Sequence, residues 1–291
     1  MSIRNILIIS DRGFIGKSIF EDLKNNKKYN IYGLNSDNCD LLNINKTKQT
    51  ISKIIVKPFT IVFLSTFGRF PEDNYDVYNK NTTMISNLLN NINTNLIEQF
   101  IFFSSTCLYG RPPNKIPIIE TQECVPNGYY GLSKFVSESL IKLHLKCPIC
   151  IIRIPGVYGE LDNNKSIISN FINNIINNKT ITIYDKGLVL RDYVYINDIV
   201  KVIKYIIDSN SNITINIATG KSVSLINLIK LIENNLNKKA KINFLNSGHQ
   251  QFDMTFNINN LMNFMPDFNP TRMEDGIKKY ISNKNIKFSS L

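Results

Sequence analysis

Three groups of residues have types and spacing that could do chemistry. The first is Ile9-Ser10-Asp11-Arg12-Gly13-Phe14-Ile15-Gly16, a glycine turn between an apolar run and a helix-like segment. Glycines there let the backbone approach a pyrophosphate, whose charge the N-terminus of the following helix stabilises. The usual pattern has a third glycine, whose place Ser10 takes. The second group is the run Ser104-Ser105-Thr106-Cys107-Leu108-Tyr109-Gly110, and the third is Tyr130-Gly131-Leu132-Ser133-Lys134. Residues four apart share one face of a helix, so a Lys134 ammonium can lie beside the Tyr130 phenol. A neighbouring cation lowers a phenol's pKa, which predicts proton exchange by Tyr130 near neutral pH. The serine run ends a predicted strand and can bring a hydroxyl to that phenol. Each motif alone arises often by chance. Their order gives them weight, because Tyr130 opens a helix soon after the serines in a chain that begins with a dinucleotide turn.

The elements that must position these groups are legible as periodicity. Apolar runs at Asn5–Ser10, Tyr29–Leu34, Phe59–Ser65, Phe100–Ser104 and Ile149–Ile154 read as strands. Segments Phe14–Lys24, Thr47–Val56, Thr82–Asn93 and Tyr130–Leu145 read as helices between them. Parallel strands need crossover connections, so this alternation predicts an α/β protein with a Rossmann-type doubly wound parallel sheet. After Gly159 the pattern loosens. A helix is expected at Ser166–Asn177, strands at Ile181–Tyr184 and Ile215–Ala218, a short strand and helix within Arg191–Asp208, and a helix at Leu225–Leu236. The expected organisation is a dinucleotide-binding domain over 1–160 and a smaller α/β substrate-binding C-terminal domain over 161–291, with some chain crossing between them.

Composition excludes several classes. The 291 residues are 43% hydrophobic and 20% charged, ordinary values for a globular chain and far from disorder. Asn and Lys interrupt every apolar run before the roughly 20 residues of a membrane span, and the first ten residues run too directly into the glycine turn to read as a signal peptide. Five cysteines are an odd, sparse set that suits a reducing, cytoplasmic compartment. The net charge of +11 comes from basic residues scattered singly, without an aromatic-interleaved stripe, so a solvated surface is preferred to a nucleic-acid groove. Cys147 and Cys150 read as buried apolar cysteines, His144 as a residue at the helix surface or an interface, His249 as a solvated loop residue, and no cluster has metal-ligand spacing.

Taken together, these elements resemble the extended short-chain dehydrogenase/reductase family of nucleotide-sugar-modifying enzymes, the NAD-dependent epimerase/dehydratase type. The resemblance covers essentially the whole chain and continues through Arg153-Ile154-Pro155-Gly156-Val157-Tyr158-Gly159, Ile181–Tyr184 and Arg191–Asp198. It implies that Ser105, Tyr130 and Lys134 form a catalytic triad, with Cys107 as a further candidate. It implies cofactor contacts from Ser10, Arg12, Gly13, Phe14, Ile15, Gly16, Asp40, Leu41, Leu64 and Ser65, together with Tyr130 and Lys134. Thr106, Lys165, Tyr184 and Arg191 are implied on a nucleotide-sugar substrate, with Arg191 at the diphosphate. Gly156 departs from the family, since many members have an Asn there on the substrate. The helices around Thr82–Asn93 and Leu132–Leu145 correspond to a four-helix dimer interface, so a homodimer is implied.

Local residues narrow the reaction. Thr106 and Cys107 stand where the family's 4,6-dehydratases carry an Asp-Glu pair, which disfavours a dehydratase. The second strand ends Tyr32-Gly33-Leu34-Asn35-Ser36 without an acid, and Arg12 lies in the turn. An acid there binds the 2′-hydroxyl of NAD, whereas Arg suits a 2′-phosphate, so NADP(H) is favoured over NAD(H). Asp37 can still reach a ribose hydroxyl, and Arg12 can equally be a surface charge. The turn and Cys39-Asp40-Leu41-Leu42 resemble the family's NADPH-dependent ketoreductases of the GDP-fucose synthase type. Cys107 stands where those enzymes use a Cys for epimerisation, but the partner His is missing, which leaves Lys165 as a substitute or Cys107 as a packing residue. The expected activity is NADPH-dependent reduction of a nucleotide-linked 4-keto-6-deoxy-hexose, UDP-linked first, with GDP and dTDP open. Alternatives are a UDP-sugar 4-epimerase that retains NAD and a bifunctional 3,5-epimerase/4-reductase. A non-catalytic dinucleotide-binding regulator is disfavoured by the presence of both Tyr130 and Lys134.

Overall fold

A computed structural model describes residues 3–162, 166–248 and 251–283. The chain begins with β1 (Arg4–Ile9), α1 (Phe14–Leu23), β2 (Tyr29–Leu34), α2 (Ile44–Ile54), β3 (Phe59–Phe63), α3 (Tyr75–Leu89), β4 (Ile97–Ser105), α4 (Tyr129–His144) and β5 (Ile149–Ile154). It continues with β6 (Gly156–Tyr158), α5 (Ile167–Ile176), β7 (Thr180–Tyr184), β8 (Leu190–Arg191), β9 (Tyr193–Tyr195), α6 (Ile196–Ser209) and β10 (Ile213–Asn216). The last elements are β11 (Val223–Ser224), α7 (Leu225–Leu236), β12 (Lys241–Leu245), α8 (Asn259–Phe264) and α9 (Met273–Asn283).

The chain forms two compact units. The first gathers the residues up to Asn114, Glu120–Ile154 and Val200–Ile217. Its six-stranded sheet runs β10-β5-β4-β3-β1-β2, and every pair is parallel. Strand β3, sequence FTIVF, is buried at every position, as a strand covered on both faces must be. Leu7, Ile61, Phe63, Phe100, Phe102 and Ile151 of the sheet pack with Ile85 and Leu88 of α3 and Ile141 of α4 in one apolar cluster. The expected doubly wound α/β architecture is thus present. Strand β1 lies between β2 and β3, so the order reverses there, and in sheets of this kind ligands bind beyond the C-terminal ends of the strands at such a point.

Helices α2 and α3 start earlier than the apolar periodicity predicts, at Ile44 and Tyr75. The cause is capping by asparagine. Asn43 Oδ1 accepts from the N–H groups of Asn45 and Lys46 at 3.1 Å each, and Asn74 Oδ1 accepts from Val77 N–H at 3.2 Å. An Asn cap satisfies orphan N–H groups of the first turn, but in an Asn-rich chain it does not stand out from background.

The second unit gathers Lys115–Ile119, Pro155–Ile199 and the chain from Ala218 onward. Among the described residues it holds three strand pairs, β6–β9 and β7–β12 parallel and β8–β11 antiparallel. Helix α9 buries Ile277, Tyr280 and Ile281 on one face. Strand β12 and helices α8 and α9 are additions to the sequence expectation, and the expected strand at 215–218 begins two residues earlier as β10.

Candidate active site

The glycine turn is fastened to its neighbouring strands. Ser10 and Asp11 donate their N–H groups to the Leu34 carbonyl at 2.6 and 3.2 Å, and Leu64 N–H donates to Ile9 O at 3.0 Å. Ser10 takes φ 78°, the left-handed conformation that glycine adopts without cost. Gly16 packs so closely on the Ser10 carbonyl that a Cβ would clash with it. Gly13 caps α1 without any side-chain hydrogen bond, and the first turn carries no acidic residue. The first-turn N–H groups of α1, those of Phe14 and Ile15 among them, are therefore suited to a pyrophosphate, so the residues present fit a dinucleotide. Leu64 and Ser65 directly follow β3. Asp40 and Leu41 lie between β2 and α2, where Asp40 Oδ1 accepts from Leu42 N–H at 3.1 Å and Leu41 is buried.

The second cluster forms where β4 ends. Ser105 Oγ accepts from Cys107 N–H at 3.2 Å, and Ser105 also hydrogen-bonds the Tyr130 hydroxyl. Thr66, just after β3, makes a second hydrogen bond to that hydroxyl. Helix α4 can lie this close because residue 131 is glycine, where a Cβ would stand 2.8 Å from the Cys107 carbonyl oxygen. One turn along, Lys134 is buried, and its Nζ donates to Phe103 O at 2.8 Å, 5.8 Å from the centre of the Tyr130 ring. Ser105, Cys107, Tyr130 and Lys134 are thereby brought together, with Thr106 buried at the start of the turn.

Burial governs the charges here. Desolvation lowers the Lys134 amine to about 7, opposed first by the Glu138 carboxylate. Desolvation also raises the Tyr130 phenol to about 12; Cys107 adds to the rise, while Ser105, Thr66 and Arg69 oppose it. The sequence expectation of a phenol lowered by its lysine is therefore corrected. Removing a phenolate from water costs more than a partly neutral amine at this distance returns.

The supports of this cluster carry no motif of their own in the sequence. Asp73, in the loop after β3, caps α4 through the backbone N–H of Tyr130. Behind the cluster, Ser104 Oγ donates to Glu138 Oε1 at 2.5 Å, and Arg153 donates to both Glu138 oxygens at 3.1 and 2.7 Å. Arg153 also donates to the Tyr109 hydroxyl at 2.9 Å, which in turn donates to Asn216 Oδ1 at 2.8 Å. The available signal was spacing: Glu138 stands four residues after Lys134, and Arg153 opens the run that ends at Gly159.

The remaining candidates lie on other elements. Tyr184 ends β7 and is exposed, and Arg191 lies in β8, both in the second unit. Arg191 donates to Leu190 O at 2.9 Å and Phe252 O at 2.5 Å, with its guanidinium 5.0 Å from the Phe252 ring centre. At Gly156 a Cβ would stand 2.7 Å from the Tyr193 ring, so that ring fills the space an Asn side chain would need. Lys165 and His249 lie outside the described residues. Cys150 is buried and its thiol donates to Ser211 O at 2.9 Å, while His144 is exposed in the last turn of α4. Among the described residues no group of His, Cys, Asp and Glu is placed to hold a metal ion, and no helix is long and apolar enough to cross a membrane.

A doubly wound sheet with a glycine turn after β1 and a Ser–Tyr–Lys cluster beyond β4 is the architecture of the extended short-chain dehydrogenases/reductases. The chain belongs to the NAD dependent epimerase/dehydratase family, which matches residues 6–218. It is 32% identical over 207 residues to the dTDP-4-dehydro-6-deoxyglucose reductase of Escherichia coli, covering 68% of this chain and 65% of that one. It is 34% identical over 147 residues to a Methanocaldococcus jannaschii protein assigned provisionally as a UDP-glucose 4-epimerase, covering 48% of each chain. The match thus spans about half to two-thirds of these relatives' length. Its fold is similar to the crystal structure of a GDP-L-fucose synthetase from Naegleria fowleri, with a TM-score of 0.83, 19% identity, and coverage of 98% of this chain and 95% of that one.

Proposed function

We propose that the protein is a nicotinamide-dinucleotide-dependent reductase acting on a nucleotide-linked 4-keto-6-deoxy-hexose. The observation that carries this reading is the arrangement at the end of β4, where Ser105 and Thr66 meet the Tyr130 phenol and Lys134 lies one turn along α4. A phenol that keeps its proton at neutral pH is a ready acid for an alkoxide, which is what reduction of a ketone demands. The likeness to the Escherichia coli reductase supports the same choice.

A bound reduced nicotinamide supplies the hydride. Gly13, Phe14 and Ile15 would hold its pyrophosphate, and Lys134 would hold the nicotinamide ribose. Ser105 orients the ketone oxygen, and Tyr130 delivers its proton to that oxygen as it becomes an alkoxide. Arg191 and Tyr184 are proposed for the nucleotide end of the sugar donor. The proposal extends to a homodimer through α3 and α4, where Tyr75, Leu132 and Phe135 are exposed apolar side chains; sedimentation velocity tests that part.

The test follows nicotinamide absorbance with NADH and with NADPH against freshly generated UDP-, GDP- and dTDP-4-keto-6-deoxy sugars. Consumption with one of them, abolished by Tyr130→Phe while cofactor binding persists, is the expected result. Interconversion of UDP-sugar C4 epimers without net consumption would replace the reductase reading with the epimerase.

A further inference from the structure

We infer that Asp11, in the glycine turn, is the acid that selects the adenosine ribose of the cofactor, so that the chain prefers NAD(H) to NADP(H). The inference rests on the proposed dinucleotide dependence, and it runs against the preference that Arg12 suggests in the sequence.

In this kind of fold an acid at the end of the second strand binds the ribose 2′-hydroxyl. Strand β2 ends Gly33-Leu34 and supplies none. The place is taken from the neighbouring turn, after β1. The Asp11 carboxylate lies directly over Gly33, so close that a Cβ on residue 33 would clash with it. Two backbone hydrogen bonds to Leu34 O, from Ser10 and Asp11, fix that position, and Asn35 Nδ2 donates to Asp11 Oδ1 at 2.9 Å. The absent side chain at Gly33 and the carboxylate from residue 11 are two halves of one arrangement, which delivers an acid to the β2 end from the β1 turn.

Arg12 does not offset this charge. Its guanidinium is ion-paired with Asp37, and both side chains are about two-thirds exposed, at 68% and 65%. The rim of the turn therefore presents two carboxylates and one guanidinium. A 2′-phosphate would add about −1.5 to −2 charges beside Asp11, and would have to draw Arg12 away from Asp37. A ribose hydroxyl instead donates to a carboxylate that is already in position.

The test is equilibrium binding of NADH and NADPH to the full chain, read by nicotinamide fluorescence without any sugar. NADH is expected to bind at least about tenfold more tightly than NADPH. Asp11→Asn is expected to cut that ratio at least about fivefold, chiefly by improving NADPH binding. Asp11→Ser is the second variant, for use if the amide disturbs the turn. Tighter binding of NADPH by the parent chain overturns the inference, as does an unchanged ratio in folded position-11 variants. A ratio that collapses in Asp37→Asn but not in the position-11 variants overturns it too, by moving the role to Asp37. Because no sugar is present, failure to reduce any keto-sugar would sink the proposed reaction and leave this result standing, and a reversed ratio would leave the reaction intact.

Discussion

Asp73 accepts a hydrogen bond from the backbone N–H of Tyr130 at 2.7 Å, from a position 57 residues earlier in the chain. Gly128, the N-cap of α4, has no capping side chain, so the carboxylate does from a distance what a local cap normally does. The loop that carries Asp73 also carries Thr66, whose hydroxyl meets the Tyr130 phenol. Asn81 of α3 ties that loop down by accepting from Phe67 N–H at 2.7 Å and donating to Phe67 O at 3.0 Å. Tyr130 is therefore held at its main chain and at its hydroxyl by one segment.

Removing this cap has a measurable consequence. Asp73→Ala should cost about 1 kcal/mol of stability, lowering Tm by roughly 2–4 °C. Turnover should fall on the order of tenfold, with little change in cofactor affinity. Asp73→Asn, which can still accept the N–H, should recover most of the turnover. Equal rates for the alanine variant and the parent would deny the carboxylate any positioning role.

Lys134 predicts a dependence of stability on pH. Folding lowers its pKa to about 7, below the ordinary lysine range. Between those values the unfolded chain binds the extra proton, so stability from this group rises with pH across that window and is lowest below it. Lys134→Met lacks the titration. The Tm of the variant minus that of the parent should therefore increase as pH falls from about 10 to about 7, then level off. A difference that is flat across that range would contradict a buried amine with a lowered pKa.

The Glu138–Arg153 pair is almost fully buried, with side-chain exposures of 4% and 6%. Breaking such a pair from one side strands the other charge at a cost of about 3–5 kcal/mol. Glu138→Gln and Arg153→Met should each destabilise strongly, and the double variant by much less than their sum. Thermal melts in a double-mutant cycle would show this; strictly additive losses would mean the two side chains do not depend on one another.

Gly131→Ala places a methyl group 2.8 Å from the Cys107 carbonyl oxygen, a contact between two backbones with no flexible side chain to give way. The expected loss is about 1–3 kcal/mol. Turnover should drop further than stability does, because the shift separates Tyr130 from Ser105. Unimpaired turnover in the folded variant would show that the helix tolerates displacement.

By itself the sequence determined the sheet and the order of its strands' sequence runs. Short apolar segments such as FTIVF, separated by amphipathic ones, admit few solutions other than parallel strands with helical crossovers, and that is a property of local periodicity. It also determined that Tyr130 and Lys134 share a helix face, since the spacing alone decides that. The helix starts at Asn43 and Asn74 were hidden because a cap is recognised by contrast, and this chain is full of asparagine. What only the tertiary structure decided is whatever depends on residues far apart in sequence. Asp73 reaches Tyr130, and the Asp11 carboxylate covers Gly33, through turns whose geometry no spacing rule specifies. The protonation of the site belongs to the same class. The sequence supplied a lysine next to a tyrosine and suggested a lowered phenol. Burial, which is set by the packing of β4, the turn after it and α4, reversed that direction, because the loss of water around a charge outweighs one nearby amine.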